Sequence, residues 1–241
     1  MSMEEESIEK ELLWLHQTYL AKKRLDEALR RFRESDQAKD VIFTVKYFPY
    51  QLYPEATKEG QDKYEWSIYL SIYPYNLSTS MSITNPALIP LCNRYMTLMT
   101  AYGKTAGISF KFHGTVGNTL DAHRVIQHFQ ETRGPETADK MISSLYSQFF
   151  ENEQHPSTGE TLLKAAADAG IPENEAKYVI VEQRDEGMST VRELIREQNM
   201  NAVDSVPTVI FEGKRRDITL VGAKEVEEYE KALMSIVKES K

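Results

Sequence analysis

Near the end of the chain, Ser205-Val206-Pro207-Thr208-Val209-Ile210-Phe211 runs on to Ile218-Thr219-Leu220-Val221-Gly222. No other short stretch restricts the fold as much. Proline has no N–H to give to a sheet ladder, so Pro207 is confined to the first residue of a strand, to an edge or to a bulge. The β-branched and aromatic residues after it read as a strand over about 207–212. A second strand at about 217–221 and a charged helix at 223–238 close the chain.

The chain has 241 residues, enough for one large domain or for a core with an inserted subdomain. Its net charge of -8 opposes nucleic acid and anionic membrane as bulk partners, because either would meet like charge. The acidic start, Glu4-Glu5-Glu6, lacks the basic and apolar regions of a secretory signal, and no run is long enough to span a bilayer. Cys92 is the single cysteine, so neither an internal disulfide nor a dithiol pair can form. A cytoplasmic location is the expectation.

Residues 3–33 read as one helix. Ile8, Leu12, Leu15 and Tyr19 form an apolar stripe that Leu25, Ala28, Leu29 and Phe32 continue. Acidic residues lie at its start and arginines at its end, each matched to the helix dipole. Val41 to Phe48 reads as a strand that Pro49 ends. Residues 66–93 carry no charge in a chain that is 27% charged. Within them Trp66 to Tyr73 alternates like a strand, and the remainder reads as loop. Helices are expected at about 96–101, 118–132, 136–151, 158–169, 173–183 and 187–199, separated by Gly134-Pro135, His155-Pro156, Gly170-Ile171-Pro172 and Gly187.

Gly117-Asn118-Thr119-Leu120-Asp121-Ala122-His123-Arg124, then Leu145-Tyr146-Ser147-Gln148-Phe149-Phe150, then Val206-Pro207-Thr208 stand in the order found in the DsbA/FrnE-like thioredoxin-fold family. Tyr19 to Arg24 and Phe48 to Pro54 add to the likeness, which covers roughly 19–54 and 94–238. The resemblance implies an α/β, thioredoxin-like mixed sheet with an inserted all-helical subdomain. The core would be 1–54 with 200–241, the uncharged insertion 66–93 and the helical subdomain 94–199. It also implies thiol–disulfide oxidoreductase or isomerase activity and a cis peptide bond before Pro207.

Members carry Cys-Pro-x-Cys before the first helix, where helix amides stabilise the attacking thiolate and a second cysteine resolves the mixed disulfide. Counted back from Tyr19, those positions fall on Leu15, His16, Gln17 and Thr18. Leucine cannot attack a disulfide, and a threonine hydroxyl ionises far too weakly. The chain is therefore expected to be redox-inactive. The family's opening strand is also missing, since 4–14 reads as helix, and Trp66 to Tyr73 is the one strand candidate left to fill its place. Either a coding sequence that differs at 1–14 and 66–93, or divergence into a non-redox protein, accounts for both departures.

On this resemblance, Val206, Pro207, Thr208, Asn118 and His123 are the substrate-binding candidates. Alternatively, Asn118 caps the helix that follows it, and His123 simply joins the helical block to the core. The partner expected is a thiol or disulfide peptide, or a small molecule like glutathione. Glutathione is the one cofactor that suggests itself, because kappa-class glutathione transferases and 2-hydroxychromene-2-carboxylate isomerases resemble this fold. Those relatives have a serine where Leu15 stands. A homodimer is compatible with an apolar alternating strand at a sheet edge. The five histidines show no metal-binding spacing, no nucleic acid or membrane partner is expected, and the run Lys22-Lys23-Arg24 reads as a solvated helix face.

Overall fold

A computed structural model describes residues 3–38, 41–66 and 89–240. They divide into two units. One comprises Met1–Phe43, Thr97–Ile108 and Val203–Lys241, and the other Thr44–Met96 and Ser109–Ala202.

In the first unit, helix α1 (Met3–Glu34) is the long helix the apolar stripe predicts. Strands β3 (Thr208–Phe211) and β4 (Ile218–Val221) form an antiparallel pair with Thr208 opposite Val221 and Phe211 opposite Ile218. Helix α8 (Val226–Ser240) packs against α1. Its buried residues Tyr229, Ala232, Leu233, Ile236 and Val237 recur at helical spacing, as do Ala28, Leu29 and Phe32 on α1. Lys22 and Arg24 do not form the solvated face expected of them, because both are buried. Lys22 is held by Asp26 at 2.6 Å. Arg24 donates to the Lys224 carbonyl at 3.2 Å and pairs with Glu225 at 2.9 Å, tying α1 to the start of α8. Their charges are thus met by partners brought in from one turn or two hundred residues away.

The second unit is built on helices α3 (Leu120–Arg133), α4 (Pro135–Glu151) and α5 (Gly159–Asp168). Ala122, Val125, Ile126 and Phe129 line one face of α3, and Ala138, Met141, Ile142 and Leu145 repeat the same spacing on α4. Leu162, Ala165 and Ala166 of α5 close over them. Helix α6 (Glu173–Lys177) runs into a wider π-type turn, Tyr178–Glu182, where one continuous helix is expected, and α7 (Met188–Met200) follows. Arg124, buried at 2%, donates to the Val179 and Gln183 carbonyls at 3.0 and 3.3 Å. It thereby satisfies carbonyls that the π-type turn leaves without helical partners.

Helix α2 (Ile89–Thr105) begins inside the segment read as loop. Pro90 sits in its first turn, where a missing N–H costs nothing. Cys92 lies on this helix and is buried at 4%. Strands β1 (Gln61–Asp62) and β2 (Thr115–Val116) make a second antiparallel pair. Trp66 lies in a helical turn at 63–66 instead of starting a strand, and the rest of the alternating run, 67–73, lies outside the described residues.

The mixed sheet is not found among the described residues, which hold two antiparallel pairs. Residues 41–48 have the expected strand-like alternation of burial, yet they pair with no strand among the described residues. At Tyr47 the glutamines of α3 stand in for one. Gln130 Nε2 donates to the Tyr47 carbonyl at 2.9 Å, the Tyr47 N–H donates to Gln130 Oε1 at 2.8 Å, and Gln127 Nε2 reaches the same carbonyl at 2.9 Å. A side-chain amide thus reproduces the two bonds of a ladder rung. No helix among the described residues is long and apolar enough to cross a membrane.

Candidate functional site

In the first unit the peptide bond between Val206 and Pro207 is cis, as the resemblance implies. Pro207 is buried, while Val206 and Thr208 are half-buried. The Thr208 hydroxyl donates to the Ser205 carbonyl at 2.7 Å, which folds the approach to the strand back on itself. The Gly222 N–H donates to the Pro207 carbonyl at 2.8 Å. Gly222 has φ +81°, a left-handed conformation that glycine adopts without strain.

That last bond fixes the sense of the ladder. Opposed residues in an antiparallel pair alternate between those that exchange main-chain bonds and those that do not. Pro207 and Gly222 are a bonded pair, so Val209 with Leu220 and Phe211 with Ile218 are bonded as well. The N–H and C=O groups of Thr208 and Ile210 must then point away from β4. None of these four groups has a hydrogen-bond partner among the described residues. The same two residues share a face with Thr219 and Val221, and Ile210 and Val221 are 49% and 51% exposed.

Leu15, His16, Gln17 and Thr18 lie in the interior of α1, twelve or more residues beyond its first residue, Met3. Their amides belong to the helical ladder, so no free helix N-terminus stands there to stabilise an anion. His16 is buried at 3%, and Gln17 and Thr18 are half-buried. Gln17 Oε1 lies 3.8 Å from the position a Cβ on Gly222 would take, which brings the vacated redox segment beside the Pro207 turn.

Asn118 and His123 belong to the second unit. Asn118 Oδ1 accepts from the Leu120 N–H at 3.0 Å and from Gln51 Nε2 at 2.9 Å, but the N-cap of α3 is Thr119, one residue later than anticipated, and no side chain makes a capping bond there. The Nδ2 of Asn118 donates to the Pro54 and Ala56 carbonyls at 3.1 and 3.0 Å. Its amide therefore ties residues 51–56 to the start of α3. The His123 ring bonds to the backbone of Tyr50, and burial lowers its pKa from 6.5 to about 4. Both residues join α3 to the segment that carries 44–56.

Three further groups in this unit had no clear sequence signal. Lys63 is 1% exposed, its ammonium 3.1 Å from the Phe149 carbonyl and 4.4 Å above the Phe149 ring. Burial lowers its pKa to about 8, against the opposing pull of Glu153 and Asp62. Gly117 is pressed by His155, whose Nε2 would lie 2.4 Å from an added Cβ. Gln127 and Gln130 each follow a core position of α3, Ile126 and Phe129, so their bonds to Tyr47 are not legible from local spacing. No cluster of three His, Cys, Asp or Glu residues that could hold a metal ion occurs among the described residues.

The sequence profile of one family, the DSBA-like thioredoxin domain, matches residues 17–234. Among solved structures, a 2-hydroxychromene-2-carboxylate isomerase is similar at TM-score 0.60 and 13% identity, over 93% of this chain and 92% of its own. A Nitrosomonas europaea protein provisionally assigned as a protein disulfide isomerase is similar at TM-score 0.50 and 16% identity, over 62% of this chain and 74% of its own. No curated protein matches this chain significantly.

Proposed function

The chain belongs to the family of DSBA-like thioredoxin domains, and on that premise we propose that it binds an extended thiol- or disulfide-bearing peptide beside Val206, Pro207 and Thr208 without exchanging disulfides. Dithiol exchange needs one thiolate to attack and a second to resolve. With Cys92 alone there is no Cys-x-x-Cys pair, and Cys92 is buried on α2. The observation that carries the reading is the outward row of Thr208 and Ile210 main-chain groups next to a segment emptied of sulfur. A strand edge of this kind takes up extended polypeptide through main-chain bonds and leaves side chains to set preference.

Insulin-reduction and scrambled-ribonuclease assays are expected to show no turnover. Turnover that persists in Cys92→Ser would sink the non-redox reading. Binding is read by fluorescence polarisation of a labelled, unstructured, apolar peptide, which the chain is expected to hold and which Thr208→Pro, lacking one outward N–H, is expected to release.

The fold likeness that extends over nearly the whole of an isomerase chain supports a second reading, a glutathione-dependent transferase or isomerase using Gln17 or Thr18 to meet the thiolate. Glutathione titrated against tyrosine and tryptophan fluorescence should then saturate. A flat titration removes this reading and leaves the first.

A further inference from the structure

We propose that His155 is an acid-released latch in the second unit. Its uncharged ring holds residues 155–157 against Gly60 and Gly117, and a proton on that ring frees them while the helical core stays folded. The latch does not depend on peptide binding. The ring sits where three stretches of chain meet. Its Nδ1 accepts from the Ser157 N–H at 3.0 Å. A Cβ added to Gly117 would lie 2.4 Å from Nε2, and one added to Gly60 would lie 3.2 Å from Cδ2, so two glycines leave the ring its room. Next to Gly117, the Asn118 N–H donates to the Thr57 carbonyl at 2.9 Å, which joins the approach to α3 to the same junction.

A backbone N–H can only donate, so Nδ1 must be bare and the neutral ring must carry its hydrogen on Nε2. A second proton turns Nδ1 into a donor as well. It then faces the Ser157 N–H donor to donor, and that bond is lost. Little else holds the turn. The Ser157 N–H bond is the one hydrogen bond of ordinary geometry that residues 155–157 make among the described residues, and Nε2 and Ser157 Oγ are both buried without such a partner. Contact with the Lys58 backbone favours a charge on the ring, but burial outweighs it and lowers the pKa below 6.5. The titratable residues on the surrounding stretches are Lys58, Glu59, Asp62 and Lys63 on one and Glu153 and Glu160 on its own, with none at 115–118. None of their charges contributes to the shift. The latch is therefore complete above pH 6.5 and weakens as pH falls below it. Helices α3 to α5 pack through apolar side chains that do not titrate, so they outlast it.

Amide hydrogen exchange of the whole chain between about pH 7.5 and about pH 5, corrected for the intrinsic rate, tests this. Protection of the Ser157 N–H is expected to fall about tenfold for each pH unit below 6.5 until the ring titrates in place. The Val125 and Phe129 amides in the core of α3 are expected to keep theirs. Nitrogen-detected NMR of the ring should find its hydrogen on Nε2 at neutral pH. Neither His155→Asn nor His155→Ala can take up a proton there, so in both the Ser157 amide should be protected to the same degree at either end of the range. Protection at Ser157 that ignores pH in the parent chain overturns the latch, as does a pH dependence that survives in either variant. A loss shared equally by Val125 and Phe129 overturns it too, because the whole unit would then be unfolding. So does a neutral ring with its hydrogen on Nδ1, which could not accept from Ser157.

Discussion

Tyr47 and Ile210 both lie on extended chain with main-chain groups turned away from any neighbouring strand, and the protein treats them in opposite ways. At Tyr47, Gln127 and Gln130 supply the missing rung from a helix side. At Ile210 nothing among the described residues does so. Sealing an edge from within requires polar side chains on the buried face of a helix, which is tolerable only because those side chains are hydrogen-bonded there. Leaving an edge open requires no such arrangement, but it leaves a template to which other chains can bind. The sealed edge belongs to the unit with the large helical core, and the open edge follows the Pro207 turn.

The comparison is tested most severely in the sealed unit's core. Phe129→Ala empties a fully buried ring site in the core formed by α3, α4 and α5 and should lower stability by about 3–5 kcal/mol in urea unfolding. A loss of under about 1 kcal/mol would mean that this unit is no better packed than the edge it is compared with. Next comes Gln130→Leu, which strands the Tyr47 N–H. It should cost about 1–3 kcal/mol, mostly as the penalty of an unmet buried donor. If Gln130→Leu proves neutral, the glutamine rung is ornamental and the contrast with Ile210 loses its meaning.

The pH profile should divide in two. For His123 the folded pKa, about 4, lies below the unfolded 6.5. Its stabilising effect is complete above pH 6.5 and is lost as pH falls toward 4, at most about 3 kcal/mol. Lys63, at about 8 folded and 10.5 unfolded, makes stability rise between those values, since the unfolded chain there holds the extra proton. Denaturant melts across pH 4 to 11 should show both slopes, with Lys63→Met erasing the alkaline one and His123→Gln the acid one. The smallest effect is expected at the open edge. Ile210→Lys, on an exposed face, should change stability by less than about 0.5 kcal/mol. A larger drop would show that the edge is covered after all.

Much of the helical unit could be read directly. Boundaries such as Gly134-Pro135 and Gly170-Ile171-Pro172 marked its helices, and the core then lies at 122, 125, 126 and 129 with the same spacing at 138, 141, 142 and 145. The strand pattern of 41–48 was legible as alternation but not as pairing, because a ladder depends on a neighbour that local residues cannot reveal. Lys22 and Arg24 misled for a similar reason: charge signals solvent until a partner such as Glu225 arrives from the far end of the chain. Pro90 hid the start of α2, since a proline that opens a helix looks locally like one that ends it. At the candidate site, Pro207 announced its turn by sequence alone. The outward aim of Thr208 and Ile210 required the register against β4.

The depth of residues 15–18 within α1 has a bearing on any attempt at repair. Installing cysteines at Leu15 and Thr18 would return the sulfur but not its surroundings, because every amide nearby is already engaged along the helix. Such thiols would ionise near the ordinary cysteine value of about 8.5. The proline that relatives carry at the position of His16 would, in turn, kink the helix it entered. Reactivity in this scaffold is a property of where a helix begins, and here it begins too early for the sulfur to benefit.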